Sequence, residues 1–250
     1  HAVVHLGGEA IASQRWTVAR KASLRRSRIE GTARVVEAMR GAAQPPSVLV
    51  CASAAGYYGP RSEEILDEEA RCGCDFLAQL AVDWEKSAQV AEALGTRVVR
   101  LRFGTILSAK GGALSRMRPI FRAGLGGPMG PRANFVPWIH EEDAAGLVDH
   151  ALEHAALSGA LNAVSPQSVR MGEFALELGR ALGRPAIFPI PEFILRLVLG
   201  EMGPALFPGQ RVEPRKALES GYAFQFEKLP RALANLMTGV SARRSGIGRL

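Results

Sequence analysis

Cysteine and aromatic residues are scarce in this chain. Of its 250 residues, three are cysteine and 6% are Phe, Trp or Tyr. Cys51, Cys72 and Cys74 are too few to form a disulfide framework, and the sequence has neither a Cys-x-x-Cys pair nor a histidine cluster that would bind zinc. We therefore expect no metal site and a reducing compartment, with the cytoplasm as the default location.

Long apolar runs are missing as well. No uninterrupted apolar stretch approaches the ~20 residues of a transmembrane helix, and the first residues do not resemble a signal peptide. Charged residues make up 22% of the chain and hydrophobic residues 47%, which is ordinary for a packed globular protein and too apolar for a disordered one. A membrane is thus not an expected partner.

Positive charge is in excess, with a formal net charge of +7. Such a balance suggests an anionic ligand or a nucleic acid. The basic residues are not interleaved with stacking aromatics, so we do not expect nucleic acid binding. For the local cluster Arg20 to Arg28, a solvated helix face is favoured over a phosphate site. The basic tail, residues 241–250, is expected to be a flexible end.

Three apolar runs, AVVHL, SVLVCAS and RVVRLRF, alternate with helical patterns. This order predicts an α/β protein with a doubly wound parallel sheet. The first helix is predicted from apolar residues at helical spacing, and the second from Asp75 as N-cap. The acidic loop 61–74 is expected to be exposed. The apolar positions predicted for the two helices are Ile29, Ala33, Val36 and Met39, then Phe76, Leu80 and Trp84.

The second half of the chain divides differently. The glycine- and proline-rich segment 108–139 predicts a short helix followed by a long loop or hairpin. Patterns further on predict a helix over 141–154, a strand at 161–165 and a helix over 171–182. The stretch PEFILRLVLGEM is apolar on nearly every side, which indicates a helix that is buried or meets a partner.

Five stretches, in order, resemble motifs of the extended short-chain dehydrogenase/reductase superfamily: AVVHLGG, RIEGTARVVEA, VCASAAGYYG, RLRFGTILSAKGG and WIHEEDAAGLVDHAL. The residues within these stretches are similar to those of the NAD(P)-dependent epimerase-like family of atypical short-chain dehydrogenases, whose members are described as uncharacterised nucleoside-diphosphate-sugar epimerases. The resemblance implies a Rossmann-type doubly wound parallel sheet with a smaller C-terminal substrate lobe. It also implies a first βαβ unit with Gly-x-x-Gly-x-x-Gly, roughly 55 residues, before His1, so the sheet here is expected to be N-terminally truncated.

The same resemblance divides the chain and names its ligands. Residues 1–165 would be a partial NAD(P)-binding domain with a substrate-loop insertion at about 108–139, and residues 166–240 a family-specific lobe. The cofactor would be NAD or NADP, with NADP slightly preferred. The substrate would be a small hydroxyl- or carbonyl-bearing metabolite, such as a nucleotide sugar. The cofactor-binding candidates are Leu6, Gly7, Gly8, Ala52, Arg102, Phe103 and Gly104; for Arg102 a surface ion pair is the alternative.

The catalytic pattern departs from that superfamily. A tyrosine and a lysine four residues apart on one helix usually handle the proton, but Leu77 and Ala81 stand at those positions, and Arg28 stands where asparagine is usual. Ser53 would then polarise the substrate oxygen, with Tyr57 or Tyr58 exchanging the proton. Ring packing is the alternative for both tyrosines.

Three further residues are candidates for substrate binding. Arg15 and Trp16 follow the loop beside the first strand, and the pair could stack on or pair with an anionic substrate. His140 precedes the helix of the WIHEED motif, where a capping role is the alternative to substrate contact.

Two classes of function remain open. One is an NAD(P)-dependent epimerase, dehydratase or oxidoreductase. The other is a non-catalytic dinucleotide-binding regulator or interaction module, which the resemblance links to cell division through some plant and cyanobacterial relatives. In either case the apolar C-terminal helix offers a surface for a homodimer or a partner protein.

Overall fold

The computed structural model describes residues 1–206 and 209–238. Short 3-10 turns at 55–58 and 90–94 accompany the regular elements. The strands are β1 (Ala2–His5), β2 (Val48–Ala54), β3 (Ile65–Leu66), β4 (Arg97–Phe103), β5 (Thr105–Leu107), β6 (Phe135–Val136), β7 (Trp138–His140), β8 (Gly159–Ala163), β9 (Val169–Arg170) and β10 (Arg211–Val212). The helices are α1 (Val18–Arg40), α2 (Phe76–Gln89), α3 (Gly112–Arg122), α4 (Glu141–Glu153), α5 (Met171–Ala181), α6 (Glu192–Leu199), α7 (Met202–Ala205), α8 (Arg215–Glu219) and α9 (Leu229–Thr238).

A four-stranded parallel sheet forms the centre of the fold, in the order β1-β2-β4-β8. The register sets His5 opposite Cys51 and Ser53 opposite Arg102. The three strands predicted from the sequence therefore lie side by side and point the same way, which confirms the predicted fold class. Their carboxyl ends meet along one edge, where open sheets of this kind bind ligands.

Helices cover both faces of this sheet, as the continuous apolar strands require. Val50 and Leu101 face a core completed by α4, whereas Leu49 and Val98 face a core completed by α1 and α2. Side chains of successive strand residues point to opposite faces, so β2 contributes to both cores. The two layers hold the strand ends in a fixed position.

The buried stripe of α1 differs from the predicted one. Val36 and Met39 are buried as predicted, but Ala33 is exposed. The stripe continues through Arg28 and Arg20, which are only 7% and 9% exposed. A solvated face is therefore wrong for these two arginines, because the end of the helix that carries them packs under the loop after β1. Arg26 on the opposite side is exposed.

Helix α2 follows the prediction closely. The Asp75 side chain accepts a hydrogen bond from the backbone N–H of Ala78, 3.0 Å away, and so caps the helix as expected. The chain then tightens into a 3-10 turn that ends at Gly95, whose φ of +76° favours glycine. The face of α2 toward the sheet includes Ala81, Trp84 and Glu85.

The acidic loop 61–74 is less exposed than expected. Its short strand β3 pairs with β10, and Leu66 is fully buried. Glu68 is 6% exposed and accepts hydrogen bonds from the backbone N–H groups of Asn162, at 2.9 Å, and Lys216, at 3.3 Å. Exposure is therefore wrong for these two positions, because the loop is held between the sheet and the C-terminal segment.

Segment 108–139 contains the predicted short helix, α3. It does not form a hairpin: β6 pairs antiparallel with β9, and β7 pairs parallel with β5. The segment is thereby tied to β5, which precedes it in sequence, and to β9, which follows it. Side chains of α3, α5 and α9 share one apolar core with it.

Helix α6 is not buried on every side. Leu195 is 6% exposed, but Phe193, Leu197 and Val198 are 68%, 74% and 57% exposed. Complete burial is therefore a wrong expectation for this helix, and its partner alternative stays a prediction. In the described part of the chain, no helix is both long and apolar enough to cross a membrane. The prediction for the tail 241–250 lies outside the described residues.

Candidate functional site

The carboxyl ends of β2 and β4 open into a cleft of about 460 Å³, within the range of small-molecule sites. Helix α2 forms one wall, and the segment after β4 forms another. Small residues at the end of β2 leave the space open. Among the residues that line the cleft are Arg28, Ala52, Ser53, Ala54, Leu77, Ala81, Trp84, Phe103 and Gly104.

A second cavity of about 670 Å³ adjoins the first, since Ala205 lines both. Its walls come from α6 and α7 on one side and from the segment around Asn134 on the other. The two cavities together could hold a ligand with two parts, one at the sheet edge and one under the C-terminal lobe.

Ser53 lies in the cleft wall and is tied to α2. Its hydroxyl donates a hydrogen bond to the Glu85 carboxylate, with 2.7 Å between Oγ and Oε1. A hydroxyl has one proton and two lone pairs, so this Ser53 offers the cleft an acceptor rather than a donor. It can accept a hydrogen bond from a ligand hydroxyl, whereas donating one to a ligand carbonyl would require it to leave Glu85.

Glu85 is held in place by Arg102. The guanidinium donates from Nε to Oε1 at 2.8 Å and from Nη2 to Oε2 at 3.0 Å, and both side chains are 4% exposed. Burial disfavours the charge, but the hydrogen bonds to Glu85 raise the pKa of Arg102 above its ordinary value. Arg102 was predicted to bind cofactor, with a surface ion pair as the alternative; the ion pair it forms is buried.

Tyr58 lies behind the cleft wall and is fully buried. Its hydroxyl donates to Asn162 Oδ1 at 2.6 Å and accepts from Arg102 Nη1 at 3.0 Å. Burial raises the pKa of Tyr58 to about 12, although the nearby Arg102 acts in the opposite direction. In this arrangement Tyr58 holds Arg102 in position, and it is not among the residues that line the cleft.

Tyr57 is half-buried, and its ring covers Arg102. The Arg102 Cζ lies 3.5 Å from the Tyr57 ring centroid, and the rings of Tyr57 and Tyr58 pack edge to face at 5.3 Å. Such packing fits the cation–π geometry. Ser53, Tyr57 and Tyr58 are thus brought together, but around the Glu85–Arg102 pair.

Leu77 and Ala81 line the cleft on the face of α2 that also carries Glu85. These are the positions at which the superfamily resemblance implies a tyrosine and a lysine. Neither side chain can exchange a proton. This part of the wall therefore offers an apolar surface to a ligand.

The segment after β1 reaches the cleft through Arg28. A Cβ added at Gly8 would lie 3.2 Å from the Arg28 Cζ, so the backbone of Gly8 packs directly on that guanidinium. Gly7 lies against the His5 ring, and Leu6 is 51% exposed. Of the predicted cofactor residues in this loop, Gly8 is therefore the one that contacts a residue of the cleft wall.

Ala52, Phe103 and Gly104 all line the cleft. Gly104 is restricted by its neighbours: a Cβ there would lie 2.8 Å from the backbone of Pro137 and 2.9 Å from Val164. Its backbone N–H donates to Ala163 O at 3.1 Å. The need for glycine at this position thus follows from the close approach of Pro137, just before β7, and Val164, just after β8.

Arg15 and Trp16 lie beside the C-terminal lobe. Arg15 donates to the backbone carbonyls of Leu197 and Val198 at the end of α6. Trp16 packs edge to face on Phe76, with 5.1 Å between ring centroids. Both residues join the loop after β1 to other elements, so any substrate contact by them stays a prediction.

His140 is the N-cap of α4, as its structural alternative predicts. Nδ1 accepts from the backbone N–H of Glu142 at 3.1 Å, and the ring stacks on Phe226 with 3.8 Å between centroids. Burial lowers the pKa of His140, and its exposure is 1%. Asp143 accepts from the backbone N–H of Phe226 at 2.9 Å, so the motif fastens the C-terminal segment to α4.

Glu85 and Asn162 are the residues of this site that sequence patterns do not indicate. Glu85 occupies a polar position of an amphipathic helix, where a solvent-facing role is the ordinary interpretation. Asn162 lies within a short strand with no motif of its own. A signal for Glu85 existed, since a buried Arg102 on a parallel strand needs a carboxylate partner.

The parallel sheet, its two helical layers and the cleft at the strand ends define a Rossmann-like α/β protein. A model of the NAD dependent epimerase/dehydratase family matches residues 1–163, more than half of the chain, and a domain of unknown function (DUF1731) matches residues 190–236. The chain belongs to the NAD dependent epimerase/dehydratase family, which confirms the resemblance noted in the sequence.

Relatives and solved structures agree with this assignment. The epimerase family protein SDR39U1 homolog of Arabidopsis thaliana, described as chloroplastic, is 38% identical over 94% of this chain and 68% of its own. Human epimerase family protein SDR39U1, crystallised with NADPH, has a TM-score of 0.91 at 37% identity over 96% of this chain and 82% of that chain. A nucleoside-diphosphate sugar epimerase from Corynebacterium glutamicum has a TM-score of 0.76 at 29% identity, over 94% of this chain and 46% of that chain.

Proposed function

We propose that this protein binds a nicotinamide dinucleotide, with NADPH as the first candidate, in the cleft at the ends of β2 and β4. The observation that carries the proposal is the convergence of Ala52, Ser53 and Gly104 on one cleft at the carboxyl edge of a parallel sheet. Support comes from the family match and from the human relative crystallised with NADPH.

The cleft fits such a group on two counts. The strand ends carry small residues, so a flat ring can approach the backbone of Ala52 and Ala54, while Leu77 and Trp84 offer apolar contact on the opposite wall. The guanidinium of Arg28 supplies positive charge beside the loop at Gly8. When bound, a nicotinamide would supply hydride transfer.

As an enzyme, the protein would act on a hydroxyl-bearing metabolite, and a nucleotide sugar is the substrate class the family suggests. Ser53 would accept a hydrogen bond from the substrate hydroxyl while its own hydroxyl donates to Glu85. This orientation favours an alcohol over a carbonyl compound as the bound species. The adjoining cavity under α6 and α7 would receive the remainder of the substrate.

A second candidate is a dinucleotide-binding regulator without turnover. It is favoured by the apolar pair Leu77 and Ala81, and by the burial of Tyr58, whose hydroxyl is already bonded to Asn162. The exposed side chains Phe193, Leu197 and Val198 of α6 would then contact a partner protein or a second copy. We place either form in the cytoplasm, as the low cysteine content suggests.

The test is to mix the full-length protein with NADPH and, separately, with NADH. The proposal predicts that nicotinamide fluorescence and the melting temperature both rise with at least one of them. No change with either cofactor would remove its basis. Products from a panel of sugar nucleotides, lost in Ser53→Ala with cofactor binding kept, would favour the enzyme; binding without product across the panel would favour the regulator.

A further inference from the structure

Arg28 is a buried cation in the wall of the cleft. The residue is 7% exposed and lines the same space as Ser53 and Leu77. Its guanidinium carbon lies 5.0 Å from the Trp84 ring centroid, beneath the backbone of Gly8. The side chain is therefore fixed between α2 and the loop after β1.

Its charge is not neutralised by the surrounding residues. The Glu9 carboxylate is paired with Arg20, and within residues 1–206 and 209–238 no carboxylate oxygen lies within 4.0 Å of the Arg28 guanidinium. Burial lowers the pKa of Arg28, an effect that the more distant Glu9 partly opposes. An arginine in such a place destabilises the unliganded protein unless an anion joins it.

Arg102 provides the comparison within the same protein. It is buried to a similar degree, yet Glu85 binds it through two hydrogen bonds. Among the residues that the structure describes, the acceptors of Arg28 are two backbone carbonyls: Nη2 donates to Glu9 O at 3.0 Å and Nη1 to Leu24 O at 3.4 Å. Its Nε–H is buried and has no partner in the described part of the chain, and each Nη keeps one further proton there.

We propose that Arg28 binds an oxyanion, a carboxylate or phosphate group, of the ligand that occupies the cleft. The free Nε–H and Nη protons match the paired oxygens of such a group, which an arginine can bind in a bidentate manner. The inference rests on the proposed function and extends it, because it requires the bound species to carry an anion on the side of the cleft next to Gly8 and Trp84.

The test uses inorganic phosphate and acetate as probes on the full-length protein, with tryptophan fluorescence and melting temperature as readouts. Trp84 stacks on Arg28 and reports on it without any turnover. We expect both probes to raise the melting temperature of the wild type and to change its fluorescence. Arg28→Met should weaken the apparent affinity about tenfold or more, the size expected for one charge-assisted contact. Arg26→Met, an exposed arginine on the same helix, should behave as wild type.

The melting temperature of the variants without ligand is a second readout. A ligand-binding role and a structural role of Arg28 predict changes of opposite sign in it. Removal of an unpaired buried charge should leave the melting temperature of Arg28→Met unchanged or raised, whereas a structural arginine would lower it. Arg28→Lys keeps the charge but loses the paired donors, so it should bind phosphate with an affinity between those of wild type and Arg28→Met. It replaces Arg28→Met in the binding test if that variant does not fold. A lowered melting temperature together with wild-type phosphate affinity in both variants would overturn the proposal.

Two further experiments distinguish an anion of the cofactor from an anion of the substrate. If the anion is a cofactor phosphate, NADPH competes with inorganic phosphate and Arg28→Met weakens NADPH binding about tenfold. If it belongs to the substrate, phosphate still binds the NADPH-loaded protein and the variant keeps its NADPH affinity. Phosphate binding that depends on Arg28 in a protein that does not bind NADPH would support the oxyanion site and contradict only the proposed function.

Discussion

The hydroxyl of Ser53 lies 2.7 Å from the carboxylate of Glu85, which is itself bound through both oxygens by Arg102. A residue that lines the cleft is thus joined to a buried ion pair behind it. This arrangement decides where the Ser53 proton lies, and with it the kind of ligand group that Ser53 can bind. It also makes the cleft sensitive to changes in residues that no ligand touches.

Loss of one partner of the buried pair should be costly. Glu85→Ala would leave Arg102 uncompensated, so we expect the free energy of unfolding to fall by about 3–5 kcal/mol, measured by urea denaturation. The double variant Glu85→Leu with Arg102→Met should recover much of this loss. Glu37→Ala, which removes an exposed partner of Arg40, is the control and should change little. A mild effect of Glu85→Ala would contradict the ion pair.

Gly104 and Gly31 make a matched pair of substitutions. Gly104→Ala sets a methyl group 2.8 Å from the Pro137 backbone, and we expect a loss of about 1–3 kcal/mol as β7 shifts. Gly31→Ala lies inside α1, where no atom of the described residues is within 4 Å of the added methyl group, and it should stabilise the protein by about 0.5–1 kcal/mol. The two changes are compared by thermal unfolding. Equal effects would contradict the close packing at Gly104.

Tyr58 should lose its proton at a higher pH than an exposed tyrosine does. The chain has three tyrosines, and burial raises the pKa of Tyr58 to about 12 from its ordinary 10.0. Because the folded state keeps this proton longer than the unfolded state, stability should decline as pH rises from 10 to about 12. Absorbance of tyrosinate should show a group that titrates near pH 12 and that Tyr58→Phe removes. Tyrosinate absorbance above pH 10 that Tyr58→Phe leaves unchanged, in protein that remains folded by circular dichroism, would disprove its burial.

His140 should make the protein less stable in mild acid. Burial lowers its pKa below the ordinary 6.5, so the folded state resists a proton that the unfolded state accepts. Stability is therefore fully present above pH 6.5 and lost as pH falls below it. His140→Asn, which retains an N-cap acceptor, should flatten the melting temperature between pH 7 and about pH 5. A slope as steep as that of the wild type would assign the effect to other histidines.

The sheet was predictable from the sequence because apolar runs and glycine breaks act locally. The strand RVVRLRF and the Asp75 cap were recovered with correct bounds, and the motif order was sufficient to indicate the family. The burial of Arg20 and Arg28 was not predictable in the same way. Helical periodicity detects apolar stripes, whereas this stripe is completed by polar residues that pack under the irregular loop just before the helix.

The site itself was predicted only in part. Ser53 lies in the cleft as the strand pattern suggests, but its bond to Glu85 joins a strand to a helix 32 residues further on. The hydrogen bond between Tyr58 and Asn162 spans 104 residues. Such contacts depend on tertiary packing, which no single-sequence pattern expresses.

The most direct test of the account is the dissociation constant of NADPH for three full-length proteins, measured by nicotinamide fluorescence. Ala54 lines the cleft, and Ala38 is exposed on α1. We predict that wild type and Ala38→Trp bind NADPH equally and that Ala54→Trp, whose indole would fill the space at the strand end, binds at least about tenfold more weakly. No binding by the wild type, or equal binding by a folded Ala54→Trp, would contradict a dinucleotide site in this cleft.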